Sequence, residues 1–310
     1  MSLVINHNLM AMNAARNLST AYSDLASSTE KLSSGLRINS AADDAAGLAI
    51  RELMRADIAS LNQGVRNAND AISMIQTADG ALGVIDEKLI RMKELAEQAA
   101  TGTYTSDQRL IIDSEYQAMA SEITRIANAT DFNGIQLLDG NLSSSSSAVA
   151  SWGSDHSGSV MTPTGPLKVH FGTANDSAQD YYYIAINDST ASALGVGNNA
   201  DINATSYEGG YAISTQQAAQ NALEGLNAAI LSKDNIRANL GALQNRLENT
   251  ISNLEIQAEN LQAAESRISD VDVATEMTEF TRNQIKSQAA VAMLAQANSL
   301  PQMAMQLIGG

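Results

Sequence analysis

An apolar stripe at helical spacing runs through residues 44–100, and no proline interrupts it. Its first half recurs at spacings of four and three, as one face of an α-helix requires, through Leu61, Val65, Ala68, Ile72 and Ile75. The phase then slips near Asp79, and the stripe resumes with Ile85, Leu89, Met92, Ala96 and Ala99. Such a slip predicts a stutter within one helix rather than a helix end. A helix over this range would be about 85 Å long.

Two further segments carry a helical pattern. Residues of roughly 107–128 follow Thr105-Ser106-Asp107, which can cap a helix N-terminus. The C-terminal arm continues an apolar seam for about four heptads, through Leu240, Leu243, Leu247, Ile251, Leu254, Ala258, Leu261 and Ile268. Three long helices with apolar stripes predict a helical bundle.

Residues 141–213 differ from both flanks. They contain five successive serines, Ser143 to Ser147, and most of the aromatic residues of the chain. The segments 167–171 and 181–186 are rich in β-formers and lie between turn residues. The predicted fold is therefore mainly α. It is a long coiled-coil-like helical bundle formed by both chain ends, with a small β-rich inserted domain.

Both chain ends carry weaker helical stripes. The N-terminal stripe comprises Leu9, Met12, Ala15, Leu18, Tyr22, Leu25, Thr29 and Leu32. The C-terminal stripe includes polar residues and comprises Val273, Met277, Phe280, Gln284, Ser287, Val291 and Leu294. Either helix alone would be marginal in water, and frayed termini are the alternative interpretation. The sustained period favours helices that pair with each other or with copies of themselves.

Charge and composition exclude several classes of function. Thirty-four acidic residues against eighteen basic ones give a net charge of −16, so nucleic acid is not an expected partner. Cysteine is absent, which removes disulfides, thiol catalysis and Cys-based metal sites. No apolar run is long enough to predict membrane insertion. The first ten residues lack the basic and apolar regions of a cleaved secretory signal peptide.

The sequence also lacks recognisable catalytic and cofactor motifs. It contains no His-Glu-x-x-His, Gly-x-Ser-x-Gly, Walker loop or dinucleotide fingerprint. His156 and His170, with nearby Asp155 and Asp176, could in principle bind zinc, but exposed histidines are more often simply solvated. We therefore predict no enzyme, no cofactor and no catalytic or metal-binding residues.

The pair Asp43-Asp44 has a more ordinary interpretation than catalysis. It lies at a predicted turn-to-helix boundary, where acidic side chains offset the helix dipole. With catalysis set aside, self-assembly is the remaining function, because a long bundle whose two ends carry unpartnered apolar stripes is suited to stacking with copies of itself. Identical subunits that make head-to-tail contacts form open helical filaments.

Several segments closely resemble the signatures of bacterial flagellins. At the N-terminal end these are Val4-Ile-Asn6, Leu32-Ser-Ser-Gly-Leu-Arg-Ile-Asn-Ser40 and Ala41-Ala-Asp-Asp-Ala-Ala-Gly-Leu-Ala-Ile50. Phe132-Asn-Gly-Ile-Gln-Leu-Leu138 resembles the turn after the family's second N-terminal helix. At the other end, the matching segments are Ala264-Glu-Ser-Arg-Ile-Ser-Asp-Val-Asp272, Ala274-Thr-Glu276 and Leu294-Ala-Gln-Ala-Asn298 before Pro301. The resemblance covers about 1–140 and 214–310, whereas flagellins vary freely in between.

The resemblance implies a division of the chain into five parts. Residues 1–43 and 269–310 would form the inner tube of a filament, 44–140 and 214–268 the outer-tube helical domain, and 141–213 a variable β-rich surface domain. Packing in the filament core would then involve Ile5, Leu9, Leu18, Leu25, Leu32, Met277, Phe280, Val291, Leu294 and Leu307.

The resemblance also implies partners and a route. The chain would be a subunit of the extracellular flagellar filament, which the bacterium uses for swimming. It would be exported unfolded by the flagellar type III system, without a cleaved signal peptide. Its partners would be further copies of itself, the flagellar cap protein, an export chaperone and hook-associated proteins. Alternatives are a hook–filament junction protein, or a filament scaffold whose inserted domain is enzymatic or adhesive.

Toll-like receptor 5 is a further partner that the resemblance implies. Arg91, Leu95 and Glu115 stand at positions similar to the central receptor contacts of flagellins. Arg91 and Leu95 are four residues apart, which places them on one helix face, so we expect the three side chains to form one exposed patch.

Overall fold

The computed structural model describes residues 8–143, 165–176, 179–197 and 212–308. Its five helices are α1 Leu9–Ser34, α2 Ala45–Ala100, α3 Ser106–Ala129, α4 Gln216–Ser269 and α5 Val273–Ile308. Two antiparallel hairpins pair β1 Asp131–Phe132 with β2 Ile135–Gln136, and β3 Leu167–His170 with β4 Tyr181–Ile184. The predicted fold, mainly α with a small β-rich insertion, is confirmed. None of these helices, within the described ranges, is long and apolar enough to cross a membrane.

The chain divides into two compact units. Unit 1 comprises Met1–Ala59 and Ala258–Gly310, and unit 2 comprises Ser60–Gln257. Helices α2 and α4 each contribute residues to both units. The five-part division by filament layer remains a prediction.

Capping side chains fix the starts of α2 and α3. The carboxylate of Asp44 accepts hydrogen bonds from the backbone N–H groups of Ala46 and Gly47, at 3.1 and 2.9 Å. Thr105 and Gln108 form a capping box, in which each side chain accepts a hydrogen bond from the other residue's backbone N–H. Both predicted helix starts are therefore confirmed, and Asp44 has the structural role expected of it.

The buried stripe of α2 in unit 2 runs without a phase slip, contrary to the predicted stutter near Asp79. Its positions alternate by three and four residues: Leu61, Gly64, Ala68, Ala71, Ile75, Ala78, Leu82, Ile85, Leu89, Met92, Ala96 and Ala99. Val65 and Ile72 are only half-buried and lie at the edge of this seam. The prediction was wrong because it gave large edge residues precedence over small ones, and the small ones are the buried ones.

Helix α4 carries a matching heptad seam. The buried positions in unit 2 are Ala219, Ala222, Leu226, Ala229, Lys233, Ile236, Leu240, Leu247 and Leu254. Together with α2 and with Tyr116, Ala120, Ile123 and Ala127 of α3, they enclose one continuous core in which most α2 seam residues are fully buried. Unit 2 is therefore a tightly packed helical bundle.

The described part of the insertion packs onto the helices of unit 2. Val169, Ile184, Ile186 and Val196 belong to the same core as the helical residues. Hairpin β3–β4 also contacts α2, where the amide of Asn67 donates to the carbonyl oxygen of His170 at 2.8 Å. The insertion therefore braces the bundle with its described residues.

Close contacts with α2 and with α4 hold this hairpin in place. A Cβ at Gly64 would collide with the carbonyl of Phe171, so glycine allows the loop to approach α2. On the other side, the hydroxyl of Tyr182 lies 3.3 Å from that of Thr250 on α4, and Arg246 stacks 3.7 Å over the Tyr182 ring.

Candidate assembly surface

The two terminal helices pack against each other in unit 1 through small and polar residues. Helix α1 contributes a heptad seam of Ala11, Ala14, Leu18, Ala21, Leu25, Ser28 and Leu32. The buried and half-buried seam of α5 comprises Glu276, Phe280, Asn283, Ser287, Ala290, Leu294 and Ala297. The most buried of these are Ala21, Ser28, Asn283, Ser287 and Ala297. A seam of this kind buries little apolar area, so it stabilises the pair only weakly.

Large apolar side chains of the same two helices point outward. In α1 the exposed ones are Leu9, Met10, Met12 and Tyr22. In α5 they are Val273, Met277, Ile285, Val291, Met293 and Met303. Apolar residues therefore lie on every side of α5, which is typical of a helix that is buried all round. Within the described part of unit 1, these side chains have no apolar cover.

The predicted filament-core residues fall into three groups. Leu18, Leu25, Leu32, Phe280 and Leu294 are half-buried in the seam between α1 and α5. Leu9, Met277 and Val291 are exposed and lie outside that seam. Ile5 lies outside the described residues, as does the side chain of Leu307. The sequence stripes thus mixed two faces of each helix, one facing the partner helix and one facing outward.

The segment between α1 and α2 is anchored to the end of α4. Arg37 donates from its backbone N–H to the Ser269 carbonyl at 2.6 Å and from its guanidinium to the Ile268 carbonyl at 2.7 Å. Buried Arg51 donates to the Ile38 carbonyl at 2.7 Å. These contacts place the junction between α1 and α2 beside the junction between α4 and α5.

Asp43 and Asp272 organise these two junctions. The Asp43 carboxylate accepts hydrogen bonds from the backbone N–H groups of Ser40 and Asn39, and these bonds lower its pKa. Asp272 accepts from the hydroxyl and backbone N–H of Thr275 and from the N–H of Ala274, which lowers its pKa in the same way. Both groups therefore favour the ionised form in the folded chain.

The predicted receptor patch is only partly exposed. Arg91 on α2 forms a two-pronged ion pair with Glu115 on α3, at 2.8 and 3.0 Å, and also binds Glu94 at 2.9 Å. The hydrogen bonds that the Arg91 guanidinium donates to Glu115 and Glu94 raise its pKa. Leu95 is only 2% exposed and belongs to the core of unit 2.

The expectation of a three-residue exposed patch is therefore corrected to a pair, Arg91 and Glu115. Residues four apart on a helix differ by about 40° in direction, and at the edge of a seam this rotation turns the Leu95 side chain inward. Whether any of the three contacts a receptor remains a prediction.

Sequence reasoning missed a cluster of charges inside unit 2. Lys233 is 2% exposed at a seam position of α4, and its Nζ lies 2.6 Å from Asp86 Oδ1 and 2.7 Å from Asp234 Oδ1. One turn further along, Arg237 binds Asp79 with N–O distances of 2.7 and 3.2 Å. The available signal was the heptad position of Lys233, midway between Ala229 and Ile236.

No group of three or more potential metal ligands occurs in the part of the chain that the structure describes. His170 stacks on Tyr181, with ring centroids 6.1 Å apart. Of the other members of the zinc set that the sequence allowed, Asp176 is described but His156 and Asp155 lie outside the described residues.

Comparison with known proteins identifies the family. The family model of the bacterial flagellin N-terminal helical region matches residues 5–143, and that of the C-terminal helical region matches residues 223–308. A flagellin of Bacillus subtilis (strain 168) is 44% identical over 316 residues, covering 98% of this chain and 99% of its own. A flagellin of Halalkalibacterium halodurans is 41% identical over 306 residues, covering 99% and 100%.

Among solved structures, that of Bacillus cereus flagellin is similar, with 28% identity, a TM-score of 0.45, and coverage of 64% of this chain and 94% of that one. The full-length identity to two flagellins and the match of both helical regions agree with the signature segments found in the sequence. The chain belongs to the bacterial flagellin family.

Proposed function

We propose that this chain is the structural subunit of an extracellular flagellar filament, built by self-assembly of many copies for swimming motility. The observation that supports this function best is the outward apolar surface of α1 and α5. Large side chains such as Ile285, which is 61% exposed, lie away from the seam between the two helices. Their burial against further copies would supply the free energy that the seam itself lacks.

The test is polymerisation of purified monomer after a charge is placed on the outward face of α5. Ile285→Asp should abolish filament formation, because a carboxylate buried in an apolar interface is strongly disfavoured. The matched control is Asn62→Asp, which adds the same charge at an exposed polar position of α2 in unit 2, outside the proposed surface. Negative-stain microscopy should show filaments for the control and none for Ile285→Asp. Normal filaments from Ile285→Asp would contradict the proposed surface.

Two alternative functions, a hook–filament junction protein and a scaffold with an enzymatic insertion, are less well supported. A hook–filament junction protein would share the helical ends, but the relatives at 41% and 44% identity over nearly the full chain are flagellins. A peptidase in the insertion would be signalled by a His-Glu-x-x-His motif, and residues 141–213 contain none. The proposed subunit is accordingly structural and acts without a cofactor.

We also propose that the subunit is exported through the flagellar type III system, and that it binds an export chaperone, the cap protein and hook-associated proteins. Before assembly, α5 presents Met277, Ile285 and Met293 to solvent, and an export chaperone would cover such a surface until export. The cap protein and hook-associated proteins would then contact the same terminal helices at the two ends of the filament. A chaperone that protected the C-terminal helix from proteolysis in a monomer complex would support this assignment, and protection confined to unit 2 would oppose it.

Recognition by Toll-like receptor 5 is a second candidate function, supported by the exposed ion pair of Arg91 and Glu115. Arginine at the centre of an interface is typical of a binding hot spot, so Arg91→Ala should reduce receptor binding by about 2 kcal/mol. Arg125→Ala is a matched control, since Arg125 forms a similar exposed pair with Glu122 on α3. Equal potency of Arg91→Ala and wild-type monomer in a receptor-signalling assay would rule out this contact.

A further inference from the structure

The two main helices of unit 2 carry seams that repeat with the same period. In α2 the buried positions alternate by three and four residues without a break, and in α4 they do so from Ala219 to Leu240 and then recur every seven residues at Leu247 and Leu254. A shift of one helix by a full heptad would therefore place one apolar pattern on the other again. Many seam positions are alanine, including Ala68, Ala78, Ala222 and Ala229, and small residues discriminate poorly between such alignments.

A charged cluster interrupts this repetition at one level of the bundle. Lys233 occupies a seam position where the neighbouring positions are apolar, and it is bound by Asp86 across the helix interface. Arg237 and Asp79 form the second pair between the same helices, one turn further along α4. A single polar residue at a seam position of a coiled coil specifies register, and it does so at a loss of stability.

We propose that the charge cluster of Lys233, Asp86, Arg237 and Asp79 sets the antiparallel register of α4 against α2 in unit 2. Replacement of a buried ion pair by apolar residues is often neutral or stabilising, so stability alone does not explain a lysine in this seam. Its effect is on which alignment forms. The cluster does this by pairing all four charges in the native register only.

A slip of one heptad in one direction places Lys233 opposite Lys93. Like charges then meet where the native register has an ion pair. Arg237 comes to lie opposite Asp86, which preserves one ion pair, but Asp79 faces the uncharged Gln244 and has no partner on α4.

A slip in the other direction places Lys233 opposite Asp79 and preserves one pair. Arg237 then lies opposite Ile72, and Asp86 lies opposite Leu226, a fully buried residue of the native seam. Both charges lose their partners next to apolar side chains, which is strongly unfavourable. Each slipped alignment is therefore penalised although its apolar seams still match.

The test measures register in the full-length monomer with two spin labels. The chain has no cysteine, so Thr77→Cys on α2 and Asn253→Cys on α4 provide the only thiols, at exposed positions outside the cluster that lie about 20 Å apart along the helix axis. A heptad slip moves one label along the other helix by about 10 Å. The decisive variant removes all four charges, as Asp79→Leu, Asp86→Leu, Lys233→Met and Arg237→Met.

The charge-free variant should keep its helix content, because leucine and methionine are good helix formers. It should also show a second distance population displaced by roughly 6–8 Å, because the slip adds to or subtracts from an axial separation of about 20 Å. The labelled parent should show one population. The control Glu122→Gln/Arg125→Gln removes an exposed ion pair within α3 and should also show one. A single native distance in the charge-free variant would overturn the proposal. An unfolded charge-free variant would overturn it as well, since the cluster would then be a requirement for stability.

Discussion

The terminal helix pair of unit 1 and the helical bundle of unit 2 use the same heptad spacing with opposite contents. In unit 2 the seam contains large apolar residues such as Leu82, Ile85 and Leu89, all fully buried. In unit 1 the most buried positions of the pair are alanine, serine and asparagine. The large apolar residues of this pair are either half-buried in the seam, such as Leu18 and Phe280, or exposed on its outer surface, such as Ile285.

The difference shows that heptad periodicity determines which face of a helix contacts its partner helix. It does not determine whether burial of that face supplies the free energy that stabilises the pair. Unit 2 has a continuous apolar core within one chain, so we expect it to be folded in the monomer. The α1–α5 pair buries little, and we expect its stability to come from contacts between copies. A weak pair with an apolar exterior suits a subunit whose terminal helices become rigid only when further copies cover that exterior.

The largest effect is expected on the free energy of unfolding when one leucine is truncated in each of the two seams. Leu89→Ala in unit 2 should lower the free energy of unfolding by about 2–5 kcal/mol, because it removes a fully buried side chain and leaves a cavity. Leu18→Ala in α1 should cost about 1 kcal/mol or less in the monomer, because the side chain is half-buried.

Urea unfolding followed by circular dichroism would measure both values. Equal destabilisation by the two substitutions would show that the terminal pair is as well packed as the bundle, which contradicts the comparison. The same Leu18→Ala protein should polymerise less readily than wild type, since the residue is among those predicted to pack in the filament core.

Much of this architecture could be predicted from the sequence. The long α2, the capped α3, the two β segments and the family followed from periodicity, turn residues and signature segments. The burial of particular residues did not follow. Sequence periodicity pointed correctly to Ala68 but also to Val65 and Ile72 as core residues, whereas Gly64 and Ala71 are buried in their place. Small residues carry a weak hydrophobic signal, yet they are the ones that allow close helix contact.

Leu95 and Lys233 illustrate the same limit in the functional regions. Four-residue spacing placed Leu95 beside Arg91, but its inward direction depends on the position of α2 relative to the other helices of unit 2. Lys233 is charged and would ordinarily be taken as exposed. Its burial depends on Asp86, a residue far away in sequence, and only the folded chain shows that the two meet.

The next effect in size concerns the contact between α2 and the insertion. Gly64→Ala should destabilise unit 2 by about 1–3 kcal/mol, because the new Cβ collides with the Phe171 carbonyl and forces the loop to move. Gly80→Ala is the matched control, since Gly80 lies in the same helix with open space around it. That control should be neutral or slightly stabilising, because alanine favours helix more than glycine. Equal thermal stabilities of the two variants would show that the insertion does not brace the bundle.

A smaller effect is expected at Tyr182, which contacts α4 from the same hairpin. Tyr182→Phe removes the hydroxyl that lies 3.3 Å from Thr250 and keeps the ring under Arg246, so the loss should be about 0.5–1.5 kcal/mol. Tyr182→Ala also removes the ring contact with Phe171 and should cost clearly more. Thermal denaturation of the two variants measures the difference. Indistinguishable midpoints would assign all of the stabilisation to the hydroxyl.

The smallest effect concerns the junction of unit 1 and its dependence on pH. The backbone hydrogen bonds from Ser40 and Asn39 lower the Asp43 pKa below its ordinary value of 3.8. The ionised carboxylate therefore stabilises the folded turn fully above that value, and the stabilisation is lost as pH falls through the lower pKa of the folded state. Amide exchange at Ser40, corrected for intrinsic rates, should accelerate in this acidic range. In Asp43→Asn the side chain cannot titrate, so the acceleration should disappear, whereas an unchanged acid response in that variant would assign it to another carboxylate such as Asp272.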